Sequence, residues 1–325
     1  MTYFTNSFIV PLICFIIALL GGIYIGKTRG IPFVLQKKEW SIGIYTGETP
    51  FSFAPLEDAK NPVLTAKDIT DVEAEFVADP FMVRELSTWY MFFEILNIQT
   101  DHGDIGVATS SDGIKWEYEG VVLDEIFHLS YPYVFKWQNE YYMIPESYQS
   151  GSIRLYKSTD FPKKWEFVTT LLLNGNYVDP SIFQHDGKWW IFSETNPNGN
   201  DTLRLYYSDN LTGSWVEHPK SPIIKENANI ARPGGRVLIY DKKIFRYTQD
   251  DYPTYGNQVW AFEITELTTT SYNEKRVNKF PVLKATGKGW NGLRMHQVDP
   301  YQISDGRWIA CVDGFGKQLV LSLRD

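Results

Sequence analysis

Two hydrophobic patterns divide the chain. Phe8 to Ile25 is a single apolar run without a charged residue. Beyond residue 40 the apolar stretches become short, lie between turn residues and show no sustained helical period, which predicts strands. At ~1.5 Å rise per residue the first run covers about 27 Å, close to the ~30 Å hydrocarbon core of a bilayer. No Lys or Arg occurs in Met1–Ser7, and no small-x-small site follows the run, which argues against a cleaved signal peptide. The expected organisation is a tail (1–7), a transmembrane anchor (8–26), a basic linker (27–39) and a β-domain (40–325). Lys27, Arg29, Lys37 and Lys38 all follow the apolar run. The positive-inside rule then favours a single-pass protein with its β-domain in the cytoplasm.

Within the β-domain one unit recurs. A short strand carrying x-Pro is followed by an aromatic strand, a third strand, a Ser/Asp turn and a Trp. The first copy reads Ala78-Asp79-Pro80-Phe81, Trp89 to Glu94, Gly106 to Gly113, then Trp116. The second reads Ser130 to Phe135, Tyr141 to Glu146, Ile153 to Ser158, then Trp165. The third reads Val178 to Phe183, Trp189 to Glu194, Leu203 to Asp209, then Trp215. A weaker fourth has Ala231 to Gly235, Ile244 to Tyr247 and Val259 to Phe262. The fifth has Val298 to Tyr301, Trp308 to Val312 and Leu319 to Leu321. The prolines stand at 80, 132, 180, 233 and 300. A period near 50 built of short strands predicts a β-propeller with one blade per repeat. The fold class is therefore all-β, a five-bladed β-propeller preceded by one N-terminal transmembrane helix. Asp112-Gly113, Asp186-Gly187 and Asp305-Gly306 supply turn pairs. The fifth copy has three evident strands, and the early segment Trp40 to Tyr45 is free to supply the fourth and close the ring.

Composition agrees with this picture. Hydrophobic residues make up 43% and charged residues 22%, which excludes bulk disorder. Aromatic residues reach 16%, an excess suited to strands and sugar-stacking surfaces. Lys+Arg is 31 against 39 Asp+Glu, a net charge of −8, and no long basic run exists, so a nucleic-acid partner is not expected. The two cysteines, Cys14 and Cys311, form neither a disulfide framework nor a zinc spacing.

The first strand of each propeller blade lines the central channel. The residues before the five prolines are Asp79, Tyr131, Asp179, Arg232 and Asp299, and they are expected around one axis. Glu94, Glu146 and Glu194 each lie 14 residues after their proline and end the second strand near the channel mouth. One carboxylate here is ordinarily a turn residue bonding its own backbone. Several on one funnel repel each other unless a ligand, a cation or catalysis uses them. Arg232, Arg236 and Arg294 offer compensation, and His296 is expected to face the channel near Asp299.

Asp-Pro on first strands, aromatic second strands ending in Glu, and the Ser-x-Asp-Gly-x-x-Trp turn (110–116) resemble the five-bladed propellers of the arabinanase/β-xylosidase and invertase glycoside hydrolases. A narrower resemblance rests on Ala-Asp-Pro-Phe (78–81), Ser-Tyr-Pro-Tyr-Val-Phe (130–135), Pro-Glu-Ser (145–147), Tyr-Val-Asp-Pro-Ser-Ile-Phe (177–183) and Ala-Arg-Pro-Gly-Gly-Arg (231–236). Over about residues 40–325 these look like the N-terminal domain of the glucosamine inositolphosphorylceramide transferases. The hydrolase resemblance implies Asp79 as base or nucleophile and Glu194, then Glu146, as acid. Tyr131 stands where those hydrolases place a second-blade Asp, and Asp179 is the nearest substitute. In the transferases, glycosyl transfer is attributed to a separate C-terminal domain. Two main readings follow. One is a membrane-anchored glycosidase or transglycosylase using Asp79, Glu146, Asp179 and Glu194 on a glycan or glycolipid. The other is a non-catalytic glycan- or glycolipid-binding propeller assisting a separate glycosyltransferase. Its binding residues would be Glu94, Tyr131, Arg232, Arg236, Arg294, His296 and Asp299. A scaffold for protein partners is the third reading. No cofactor is required by any of them. Some hydrolase relatives hold a cation in the channel, and these carboxylates with His296 would suit Ca²⁺ there, although no dedicated calcium loop is present.

Overall fold

A computed structural model describes residues 6–28 and 34–321, with side chains for 11–22 and 37–317. The apolar run forms a helix, Asn6–Thr28. Among the described residues no helix is long and apolar enough to cross a membrane. The ends of the expected span, 8–10 and 23–26, lie outside the described side chains. The helix belongs to a unit separate from the body of strands at 39–316.

That body is a five-bladed β-propeller. Blade I comprises Ala74–Glu85, Thr88–Asn97, His102–Ser110 and Glu117–Leu123. Blade II comprises Ser130–Trp137, Glu140–Glu146, Ser152–Asp160 and Lys164–Leu173. Blade III comprises Val178–His185, Lys188–Glu194, Leu203–Ser208 and Val216–Glu217. Blade IV comprises Leu238–Tyr240, Lys243–Asp250, Gln258–Leu267 and Tyr272–Arg276, with the short Leu283–Lys284 also on its third strand. Blade V comprises Val298–Gln302, Trp308–Leu321, Val34–Thr49 and Ser52–Pro55.

Two strand expectations change. Leu319 to Leu321 is not a third strand of blade V, because Trp308–Leu321 runs on as one strand. The early chain therefore supplies two strands rather than one, and blade V is half N-terminal and half C-terminal. In blade IV the innermost strand is Leu238–Tyr240, and Pro233 makes only an isolated bridge to Thr248. The glycine pair at 234–235 lets the backbone come too close for a ladder with side chains. A Cβ on Gly235 would lie 1.9 Å from the Val298 carbonyl oxygen.

Alternation along each strand gives every blade two apolar faces, and each face packs on the next blade. Ile42, Ile44, Met91 and Phe93 join blade V to blade I. Phe92, Val107, Val134 and Met143 join I to II. Tyr133, Ile144, Ile182 and Ile191 join II to III. Phe192, Leu205, Ile244 and Ile264 join III to IV, and Tyr247, Val259, Val298 and Val312 join IV to V. The recurring tryptophans close the turns that follow third strands. The Trp116, Trp165 and Trp215 indole N–H groups donate to Gly113, Pro162 and Leu211 carbonyls at 3.2, 2.8 and 3.2 Å.

Candidate functional site

Asp79, Tyr131 and Asp179 share one local geometry, and their sequence explains it. Proline at the next position donates no ladder hydrogen bond, so pairing skips there. The register breaks between Ala78 and Phe81, Ser130 and Tyr133, and Val178 and Ser181. At each bulge the residue before proline has positive φ: 52° at Asp79, 44° at Tyr131 and 47° at Asp179. Non-glycine residues adopt this conformation at a cost of about 1–3 kcal/mol, so the surrounding contacts must enforce it. Two of the freed N–H groups reach the second-strand acid of the preceding blade. Asp79 N donates to Asp313 Oδ2 (3.2 Å), and Asp179 N donates to Glu146 Oε2 (3.1 Å).

Blades I, II and III thus bring five acids to one end of the channel. Asp79, Glu94, Glu146, Asp179 and Glu194 are all buried, with Asp179 and Glu194 fully so. Arg232 is the guanidinium among them. Its Nε donates to Asp179 Oδ2 (2.6 Å), its Nη1 to Asn200 Oδ1 (3.1 Å), and its Nη2 lies 3.8 Å from Glu146 Oε2. His296 faces Asp79 and Asp313 rather than the expected Asp299. Its Nε2 is 3.8 Å from Asp79 Oδ1, and its Nδ1 is 2.7 Å from Asp313 Oδ2, an ion-pair distance out of line for a hydrogen bond. Trp40 stacks on the imidazole at 4.1 Å, and Tyr255 meets it edge-on. Tyr255 also lies against the Arg232 guanidinium, 5.1 Å from its ring centre.

Four predicted residues, Asp299, Arg236, Arg294 and Tyr131, are engaged in other contacts. Asp299 keeps regular register with Cys311 and has no bulge, so its carboxylate does not point where Asp79 and Asp179 point. It accepts Arg236 Nε (2.8 Å) and Met82 N (2.7 Å). Arg236 also donates to the Val134 carbonyl (2.7 Å), which ties blades I, II, IV and V further along the channel. Arg294 lies over the Phe315 ring, 5.2 Å from its centre. Tyr131 is fully buried and crosses to blade IV. Its hydroxyl accepts Gly235 N (2.9 Å), donates to Gly235 O (3.0 Å), and lies 2.9 Å from Ser181 Oγ. It forms a floor rather than a free wall.

Several site residues escaped the sequence reading. Asp313 lies within the long second strand of blade V and uses both oxygens on Asp79, His296 and Gln297. Its signal was present, an acid after the apolar run Trp308 to Val312, but it stands 13 rather than 14 residues after its proline. Asp250 ends the matching strand of blade IV, yet it is taken up by Asn229, Gln258 and Trp260. Gln249 and Asp251 flank it and do reach the cluster. Gln249 Nε2 donates to Asp179 Oδ2 (2.7 Å), and Asp251 Oδ1 accepts Gly256 N (2.7 Å). Nothing in the weak fourth repeat marked them.

Protonation follows from burial. Burial lifts Asp79 to about 7, with His296 opposing the rise. Burial also lifts Glu194 to about 7, against the backbone N–H groups of Asn196 and Thr202. Glu94 and Glu146 are held well above the usual range by burial and then by neighbouring carboxylates. For His296, burial pushes downward, but Asp313 and Asp79 outweigh it and raise the imidazole to about 9. The site therefore holds protons at neutral pH that can be donated. Asp79, His296 and Asp313 bring ligand-type atoms within 4.8 Å of one another, the grouping nearest to the expected channel cation. With His296 protonated, an imidazolium stands where that cation would go. Five buried oxygens at or beside the cluster have no hydrogen-bond partner: Asp79 Oδ1, Glu194 Oε2, Asp251 Oδ2, Gln249 Oε1 and Gln297 Oε1.

The sequence profile of the glucosamine inositolphosphorylceramide transferase 1 N-terminal family matches residues 35–315. The chain belongs to this family. It is 39% identical over 296 residues to glucosamine inositolphosphorylceramide transferase 1 of Oryza sativa subsp. japonica, and 37% over 298 residues to that of Arabidopsis thaliana. Each match covers 85% of this chain but only 40% and 39% of the relative. The chain thus spans about two fifths of the length of these curated relatives. Among solved structures, a thermostable family-43 glycoside hydrolase matches with a TM-score of 0.56 at 16% identity, covering 82% of this chain and 98% of that one. The catalytic domain of the Coprinopsis cinerea GH62 α-L-arabinofuranosidase matches with a TM-score of 0.55 at 12% identity, covering 85% and 96%. At these identities the likeness is one of fold. Family and fold together make this a five-bladed β-propeller of the transferase N-terminal family.

Proposed function

We propose that the chain is a membrane-anchored carbohydrate-active propeller that takes a glycan or glycolipid head group at the acid-lined mouth. The unpartnered oxygens of Asp79, Glu194, Asp251, Gln249 and Gln297 carry this reading. A buried acceptor without a donor costs about 1–3 kcal/mol, and sugar hydroxyls are donors of the right kind. Asp79 and Glu194, both near 7, are the pair suited to acid–base work on a glycosidic bond. Glu146 and Asp179 hold Arg232 and shape the charge around that pair. The helix Asn6–Thr28, about 34 Å long at ~1.5 Å per residue, supports an anchor, and the basic residues after it favour a cytoplasmic propeller. The relatives' name suggests an inositolphosphorylceramide-type glycolipid as ligand and a glycosyltransferase as working partner.

A second reading, a non-catalytic binding module, is favoured by Tyr131. It occupies the second-blade position with its hydroxyl already committed to Gly235. The test is a panel of glycans and glycolipid head groups presented to the full chain in detergent, for wild type, Asp79→Asn and Glu194→Gln. Turnover that falls at least ~100-fold in both variants supports the enzyme. Binding without turnover supports the module. Neither binding nor turnover refutes both.

A further inference from the structure

We propose that His102, Asp104 and Asp124 form a divalent-cation site of zinc type on blade I, distinct from the acid cluster in the channel. One ligand-type atom from each lies within 4.8 Å of the others. Asp104 sits in the third strand, opposite Ile95, and is 1% exposed. One of its oxygens is occupied, since Oδ2 accepts Asn97 Nδ2 at 3.0 Å. The other, Oδ1, has no hydrogen-bond partner and lies 3.4 Å from His102 Nδ1, which also lies 3.4 Å from the Gly103 carbonyl oxygen, a contact it would give up to bind a metal. Asp124, exposed at the end of the fourth strand, completes the group. Among the described residues no Lys or Arg pairs with Asp104 or Asp124. A buried carboxylate beside a second carboxylate, with one imidazole as its nearest cationic group, is unfavourable as it stands. The acids around Arg232 have a guanidinium. These two lack one.

The one resolved spacing fits zinc, and the donor set favours it over calcium. Ligands ~2.0–2.1 Å from zinc at tetrahedral angles stand about 3.3–3.4 Å apart. The His102 Nδ1 to Asp104 Oδ1 separation, 3.4 Å, equals that edge. One imidazole nitrogen and two carboxylate oxygens leave a fourth position for water. Calcium prefers six to eight oxygens, and a ring nitrogen is a poor substitute among them. The surroundings also hold the ligands still. Asn97 fixes the orientation of Asp104, the outer hydrogen bond that metal-binding carboxylates commonly have. Gly103, between the two ligands, donates its N–H to His128 Nδ1 at 2.9 Å and its carbonyl accepts Leu129 N. A Cβ at Gly103 would lie 2.2 Å from the Leu129 carbonyl oxygen, so the turn is pinned against the next blade.

The experiment is calorimetric titration of the chelator-treated full chain in detergent with ZnCl₂ and, separately, CaCl₂. Wild type, Asp124→Asn, Asp104→Asn and Asp313→Asn are compared. The expected result is a micromolar zinc site that weakens at least tenfold in Asp124→Asn and Asp104→Asn and persists in Asp313→Asn. Asp124 is exposed, so its variant folds as wild type even where Asp104→Asn does not. No zinc binding by wild type overturns the proposal. So does a zinc site that survives Asp124→Asn but is lost in Asp313→Asn, which would place the cation in the channel. Calcium binding that is tighter than zinc and lost in Asp124→Asn overturns the metal type.

Discussion

Replacing Arg232 by methionine tests how the acid cluster is held. Asp179 is fully buried and Arg232 is 14% exposed at the side chain, so solvent screens the pair little. The substitution leaves Asp179 with Gln249 Nε2 as its remaining side-chain donor and takes from Glu146 the guanidinium 3.8 Å away. Removing one partner of a buried pair destabilises by about 3–5 kcal/mol, and this loss is expected at pH 8. The deficit depends on pH. Glu146 is already raised well above 4.5 by burial and by Asp179, and Arg232 opposes that rise. Without Arg232 it rises further. A carboxyl whose folded value exceeds its unfolded one contributes stability that is fully present below the unfolded value. That stability is lost as pH rises through the folded value. The deficit therefore shrinks on acidification, by up to about 1.4 kcal/mol per pH unit for one proton. Urea unfolding of wild type and Arg232→Met between pH 5 and 8.5 measures it. A loss below about 1 kcal/mol at pH 8, or a deficit independent of pH, refutes the buried-pair argument.

The wild-type protein should itself be more stable at pH 6 than at pH 8.5. Asp79 and Glu194 near 7 and His296 near 9 are all raised, so their contributions fade as pH climbs through those values; equal urea midpoints at the two pH values would contradict this. Tyr131→Phe should cost about 2–4 kcal/mol by losing the hydroxyl bonds and leaving Gly235 N–H without a partner, and a cost under 0.5 kcal/mol by urea titration would mean that water reaches the floor. Gly235→Ala should abolish folding or lower the melting temperature sharply, because its Cβ meets the Val298 carbonyl oxygen at 1.9 Å where φ is +149°; a soluble variant with an unchanged melting temperature would show that the bridge between blades IV and V is not needed.

Much of the architecture was legible along the chain because a propeller repeats locally. The x-Pro first strand, the aromatic second strand and the turn-capping Trp recur within about 50 residues, and each is decided by near neighbours. Blade IV was faint for a physical reason. Gly234 and Gly235 make close backbone contact before a first strand of only three residues, Leu238–Tyr240, so little hydrophobic alternation marks it. The closure of blade V was half visible. Alternation announced Trp40 to Tyr45 as a strand, but whether the partner strand ran on past Val312 depends on pairing between chain ends.

The sequence by itself determined that five blades would form and that acids would gather at one end of the channel. Those properties follow from side-chain alternation, from the missing N–H of proline and from repeat spacing. Only the tertiary structure decided which acids face the site. Asp79 and Asp179 turn inward because a bulge rotates them, while Asp299, which also precedes a proline, keeps regular register and binds Arg236. The same holds for Tyr131, whose hydroxyl finds Gly235 across 104 residues of chain. Register and burial set where a carboxylate points and what proton it holds, and both depend on contacts between blades distant in the chain.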